Sequence, residues 1–231
     1  DQHFLEKFQQ YLLSHVSVNT AFNYFAKLKN CLELAVKDRI LLENPAKRVS
    51  AIKRTEIEKI YLTIGEIRQL AKTIPENQTS KEVARAFLFS CFTGLRVSDA
   101  RKLTFGNLED GCLKFRQQKT KGFEYLPLNK TALSLIGETL QPESMPVFKL
   151  PSLTYCNRAL KLWGAEAGIK KPMHYHLSRH TFAVLTLSSG TDLYTTSVLL
   201  GHKQLSTTEV YAQVVGESKR RAVEAMPELE L

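Results

Sequence analysis

Cys112–Leu128 reads CLKFRQQKTKGFEYLPL, and the architecture turns on this stretch. Leu113 to Gln118 and Phe123 to Leu126 are strand-like, and Lys119-Thr-Lys-Gly122 between them carries turn chemistry, so the segment reads as a hairpin. On either side the apolar spacing becomes helical. Upstream, Val83, Ala86, Phe87, Ser90 and Cys91 mark a largely buried helix that runs into a Thr93-Gly94 turn. Before it, Thr63-Ile-Gly-Glu66 is a capping box that opens another helix. Downstream, one helix follows Asn129, and a second carries Leu153, Cys156, Leu160, Trp163 and Ala167 and closes at Gly168. Further helices are expected over Leu177 to Ser188 with Gly190 beyond, over Asp192 to Leu200 stopped by Gly201, and, polar, near Glu217 to Ala225. The expectation is a mainly α fold with a small antiparallel β-sheet.

The first part of the chain is helical as well. Phe4 or Leu5, Phe8 and Leu12 recur at helical spacing; after a break at Ser14 to Ser17, Phe25, Leu28, Leu32, Ala35 and Val36 form one stripe. Asn44-Pro45 ends this run, because proline disfavours helix in the residue before it. From Ala46 to Lys59 the chain is polar and basic, with Lys47, Arg48, Lys53, Arg54 and Lys59 and little periodicity. The expected organisation is a helical domain over 1–50, a basic linker over 51–61 and a larger domain over 62–231. A basic linker serves equally as a solvated tether or as a strand lying along DNA.

Across 231 residues, Lys and Arg number 32 against 23 Asp and Glu, a formal charge of +9. That bias points to a polyanionic partner, nucleic acid first, with plain solubility as the bland alternative. No apolar run approaches the roughly 20 residues that cross a bilayer, and no signal-peptide pattern opens the chain, so a cytoplasmic protein without a membrane partner is expected. The chain begins at Asp1 without a Met and reads as a piece of a longer protein. Cys31, Cys91, Cys112 and Cys156 are scattered without CxxC spacing; they read as buried, reduced thiols rather than zinc ligands or disulfides.

Three short motifs carry chemistry. His176-Leu-Ser-Arg179 opens a helix, where positions three apart share a face and both side chains can approach one phosphate. Thr93-Gly94-Leu95-Arg96 sets an Arg just past a tight turn, with Asp99 three residues on as its expected partner. Leu200-Gly201-His202 is followed nine residues later by Tyr211. Taken singly, each fits a structural role: a polar cluster at a helix start, an ion pair, a core tyrosine. Arginine suits phosphate, since its planar fork pairs bidentately and stays charged.

In order and spacing, Thr93-Gly-Leu-Arg96, the hairpin lysine, His176-x-x-Arg179, Leu200-Gly-His202 and Tyr211 resemble the signature of the tyrosine recombinases, or phage-integrase-type recombinases. The likeness extends over nearly the whole chain, and the N-terminal helices resemble that family's core-binding domain. Gln117-Gln-Lys119-Thr followed by Leu126-Pro-Leu is similar to the hairpin in integrases of mobile elements, and His180 follows the second Arg as in many members.

The resemblance implies a site-specific DNA recombinase or integrase. Tyr211 would attack the scissile phosphate, leaving a 3′-phosphotyrosine and a free 5′-hydroxyl. Arg96 and Arg179 would clamp the non-bridging oxygens, and Lys119 would protonate the departing 5′-oxygen. His176 would assist proton transfer, and His202 would hydrogen-bond the phosphate. A tyrosine ester conserves the phosphodiester energy, so no cofactor, ATP or metal is expected. Lys121 competes with Lys119 for the acid role, and His180, on the same face as His176, reads as a packing residue able to share its role.

The partners implied are double-stranded DNA recombination sites, further copies in a tetramer on DNA, and an accessory DNA-bending or directionality protein. The enzyme would be nucleoid-associated when acting, and the polar C-terminal helix would dock on a neighbouring copy. Mobile-element members often carry a further N-terminal arm-binding domain, so the chain reads as a truncated integrase of a bacterial mobile element.

Rival readings remain at this point: a type IB topoisomerase or telomere resolvase with the same chemistry; a metal-dependent phosphodiesterase built on His174, His176, His180 and His202; or a DNA-binding protein without catalysis. A helical domain plus basic linker favours the recombinase, because such a pair can clamp a duplex from two sides. Arg179 would set a cation in a metal site. Thr20-Ala-Phe22-Asn23 and the helix at Asn157 and Arg158 are candidates for reading a groove.

Overall fold

The computed structural model describes residues 1–55, 59–119 and 122–212. It divides into two compact units, Asp1–Glu58 and Lys59–Leu231.

In the first unit α1 (Gln2–His15) and α2 (Val18–Lys37) are joined by a two-residue break in which Ser17 caps α2 by accepting from the N–H of Thr20. Leu5 and Leu12 of α1 and Ala21 and Phe25 of α2 bury against Ala46 and Val49, which belong to or follow a 3₁₀ turn at Pro45–Arg48. The second helix stops seven residues before Asn44-Pro45 rather than at it. Asn44 instead starts the 3₁₀ turn by accepting from Ala46 N–H, and its amide donates to Lys29 O and to Glu33. The basic stretch beyond is partly tied down. Thr55 exchanges two hydrogen bonds with Asn19, Arg54 donates to Asn23 Oδ1, and its guanidinium lies 4.3 Å over the Phe22 ring.

The second unit is built around α4 (Gln78–Thr93), which is buried along most of its length and packs on α6 (Lys130–Ile136), α7 (Leu153–Glu166) and α8 (Leu177–Ser188). Phe87 meets Trp163 and Tyr175 edge-on, each with ring centroids 6.1 Å apart. Trp163 satisfies its indole N–H on Thr73 O, at the end of α3 (Ile64–Lys72), whose capping box between Thr63 and Glu66 is formed. Arg85 donates to the carbonyls of Leu135, Ile136 and Val147, joining the end of α6 to the loop beyond it.

The sheet has three antiparallel strands in the order β1 (Leu108–Glu109), β2 (Cys112–Arg116) and β3 (Phe123–Pro127), with Leu113 opposite Leu126. A short helix α5 (Val97–Ala100) precedes it, and α9 (Leu193–Leu199) and α10 (Ser206–Ala212) follow α8. Thus the fold is mainly α with one small antiparallel sheet. The two-residue β1 and the helix α10 are elements that the sequence reading did not anticipate. Cys91, Cys112 and Cys156 are buried free thiols, but Cys31 is exposed, because it lies off the stripe that α2 buries. The polar helix expected near Glu217 to Ala225 lies outside the described residues.

Candidate active site

Arg96 is positioned by backbone conformation. Gly94 ends α4 in the left-handed region, φ 68°, and a Cβ there would sit 2.6 Å from the Phe182 ring. Only glycine combines that dihedral with that approach, and the chain then turns so that Arg96 opens α5. Its Nη1 donates to Gln117 Oε1 at 2.8 Å, and Gln117 Nε2 donates onward to Glu124 Oε1 at 2.9 Å. Asp99, expected beside Arg96, instead accepts the backbone N–H of Gln118 at 2.8 Å. It therefore pins the base of the hairpin turn that carries Lys119.

Arg179 lies in the first turn of α8 and is 4% exposed. Its Nη1 donates to Gly94 O at 2.7 Å and its Nη2 to the carbonyl of Leu200, so one side chain joins the Arg96 turn to the end of α9. His176 is the residue at which α8 begins, and Tyr175 beside it is fixed by donating its N–H to Asn157 Oδ1. Asn157, a candidate groove reader, thus braces the helix start, much as Asn23 in the first unit is taken by Arg54.

Arg96, Lys119, Asn157, His174, His176 and Arg179 line one cavity of about 300 Å³. The lining does not include His202 or Tyr211; Tyr211 is linked to lining residue His176 through His180, which meets both rings. His202 follows Gly201 and holds Thr208 Oγ1 at 2.8 Å through Nδ1, which ties α9 to α10. Tyr211 is 5% exposed and belongs to an apolar cluster with Phe182, Val184, Leu187 and Leu200. Its hydroxyl lies 2.5 Å from Nδ1 of His180. Lys121 lies outside the described residues.

The electrostatics follow from packing cations together away from water. Burial first, and then the Arg96 charge, bring Arg179 down to about 9. Burial and then Arg179 hold His176 and His202 down to about 4. Burial pushes the Tyr211 phenol up to about 12, against the pull of Arg179. Such a site holds neutral imidazoles beside guanidinium groups and gains stability when an anion enters. Glu124 offsets part of that charge, and burial raises its carboxyl above the ordinary range.

Every site residue read from the sequence is therefore found in the second unit, in two groups that meet at Arg179. Three participants escaped that reading: Gln117, Glu124 and the contact between His180 and Tyr211. Glu124 did leave a signal, since it alternates in phase with buried Leu126 and so faces inward.

Comparisons with known proteins bear on the family and the fold. The phage integrase family matches residues 60–217, and the phage integrase SAM-like domain matches residues 1–53. The tyrosine recombinase XerA of Pyrococcus furiosus is 30% identical, with 96% of this chain and 85% of that protein covered. The tyrosine recombinase XerD of Listeria innocua is 27% identical over 86% of this chain and 72% of its own. Among solved structures, a lambda integrase (75–356) dimer bound to a COC′ core site matches with TM-score 0.76 at 18% identity, covering 100% of this chain and 83% of that one. The XerH recombinase bound to a palindromic difH substrate matches with TM-score 0.77 at 18% identity, covering 97% and 72%. Both solved structures share the fold, the family match spans the whole site, and the chain belongs to the phage integrase family, the tyrosine recombinases.

Proposed function

We propose that the chain carries out site-specific recombination of double-stranded DNA, with Tyr211 as the nucleophile. The observation that carries this reading is the place of Arg179, which borders the cationic cavity and bonds the Leu200 carbonyl beside Tyr211's cluster. A scissile phosphate in that cavity would meet both guanidinium groups as charge builds on its oxygens. Tyr211 attacks the phosphorus, a 3′-phosphotyrosine forms, and Lys119 protonates the leaving 5′-oxygen. His176 assists proton transfer, and His202 hydrogen-bonds the phosphate. Religation by a 5′-hydroxyl reverses each step, so the chain needs no ATP.

DNA as the partner is supported by the solved neighbours, since the lambda integrase and XerH structures are DNA complexes. Recombination between two duplexes calls for four such chains, and a tetramer on DNA is part of the proposal, as is an accessory DNA-bending or directionality protein. We assign 1–50 to a DNA-binding domain, 51–61 to a linker and 62–231 to catalysis. No helix among the described residues is long and apolar enough to cross a membrane; action on nucleoid DNA in the cytoplasm completes the proposal.

The test is incubation of the protein with labelled duplex and supercoiled plasmid in EDTA, beside Tyr211→Phe. The expected outcome is an SDS-resistant protein–DNA adduct and relaxed plasmid with the wild type, both lost in the variant. Binding without an adduct would leave a DNA-binding protein, and a requirement for added metal would revive the histidine-metal alternative.

A further inference from the structure

The contact between Tyr211 and His180 has no part in the chemistry above. The phenolic oxygen and Nδ1 are 2.5 Å apart and the ring centroids 5.6 Å. His180 follows Arg179 on α8, and Tyr211 reaches it from α10, which packs on α8 and α9. The phenol is enclosed by Phe182, Val184, Leu187 and Leu200, so solvent is a poor acceptor for its proton. A phenol that attacks phosphorus must nevertheless lose that proton as the new bond forms, and an acceptor has to stand within hydrogen-bond reach.

The surroundings of His180 keep it neutral. His176 packs edge-on from the start of α8, with centroids 4.6 Å apart. Lys59 ahead of α3 and Arg179 carry positive charge near it, and His176 and His174 (in the loop before α8) each disfavour a second charged imidazole beside them. Burial and then these groups hold His180 down to about 3. A neutral imidazole has one N–H and one lone pair; with the phenol donating to Nδ1, the ring proton resides on Nε2.

We propose that His180 is the base that takes the phenolic proton of Tyr211 during cleavage and returns it during religation. This rests on the reading of Tyr211 as nucleophile. The Tyr211 oxygen–phosphorus bond forms while the phosphorus–5′-oxygen bond breaks. The phenolic proton passes to His180 Nδ1, and the 5′-oxygen takes a proton from Lys119. His180 becomes an imidazolium as Lys119 becomes neutral, and religation exchanges the two protons back. At rest the proton stays on the phenol, which is by far the stronger holder. Transfer becomes favourable only when bond formation to phosphorus draws charge from the phenolic oxygen. The phosphate's negative charge then also offsets the cations around His180. The base is thus engaged by DNA and idle without it.

The experiment measures single-turnover adduct formation against pH on a duplex that wild type cleaves. The duplex carries a 5′-bridging phosphorothiolate, whose thiolate leaves without an acid and so removes Lys119 from the profile. His180→Asn keeps an acceptor near the place of Nδ1 but cannot take a proton. Wild type should be flat with respect to this group between pH 6 and 9. The variant should be roughly 100- to 1,000-fold slower at pH 7 and climb about tenfold per pH unit, because its phenol must ionise to solvent. His180→Ala should regain rate when imidazole is added, which gives a second reading if the Asn variant fails to fold. A His180→Asn rate equal to wild type, or lowered by one factor at every pH, or an Ala variant indifferent to imidazole would overturn the base. Adduct formed by Tyr211→Phe as fast as by wild type on the same duplex would overturn the nucleophile assignment and this inference with it.

Discussion

Arg179 keeps a guanidinium almost wholly out of water, with nitrogens turned to the carbonyls of Gly94 and Leu200. The two acceptors lie on different segments, so the fork matters as much as the charge. In Arg179→Lys a single ammonium cannot reach both, and one buried carbonyl is left without its donor at about 1–3 kcal/mol. The variant should melt several degrees lower and form adduct at least ~100-fold more slowly, as when one donor to a developing oxyanion is lost. Thermal melting and the adduct assay check the two effects separately; a normal melt with a normal rate would refute them. At this scale the sequence was informative where spacing is local. His176 and Arg179 are three apart on one helix, and Arg96 follows its glycine directly. It was silent on Gln117, Glu124 and the pairing of His180 with Tyr211, because those partners meet only through the tertiary fold. Tyr211 satisfies both of its readings at once, with its ring in an apolar cluster and its hydroxyl on a histidine.

The elements that shape the site end in glycines. Gly201 closes α9 at φ 58°, and a Cβ there would lie 2.0 Å from Gln117 Nε2 and 2.6 Å from Glu124 Oε1. Gly201→Ala should therefore cost more than the ~1–2 kcal/mol of a left-handed alanine, and it should push Gln117 off Arg96. Gly111→Ala supplies the control, since Gly111 has φ 71° but nothing within 4 Å of the added carbon. Equal losses of melting temperature and of adduct rate in the two variants would contradict this account. Elements with strong periodicity or a cap were legible: the helix stripes, the Thr63 box and the hairpin. The two-residue β1 is too short to alternate. In α10, Ser206-Thr-Thr-Glu-Val presents no apolar face, and that helix is held by α8 and α9 rather than by its own pattern.

For the molecule as a whole, the buried histidines tie stability to pH. His174, His176, His180 and His202 are all held below the ordinary imidazole range, mainly by burial. In the unfolded chain each takes up a proton near pH 6.5, whereas the folded chain refuses it until lower pH. Their contribution is therefore complete above pH 6.5 and is lost as pH falls toward 4. The melting temperature should drop between pH 7 and 5, above the range where ordinary carboxylates titrate, and His180→Asn should flatten the drop. A melting temperature constant over that interval would contradict the burial of these rings. Most of the architecture was readable because the helices carry their own stripes and stops. The division at Glu58–Lys59 was harder to place, because residues on both sides of the basic stretch bond back to their own units. The exposed Cys31 on α2 has a practical consequence: three of the four thiols are buried and one faces solvent, in the unit that lacks the candidate site. A maleimide dye would therefore mark the N-terminal unit selectively, without mutagenesis, and fluorescence could follow that unit as the protein engages a duplex.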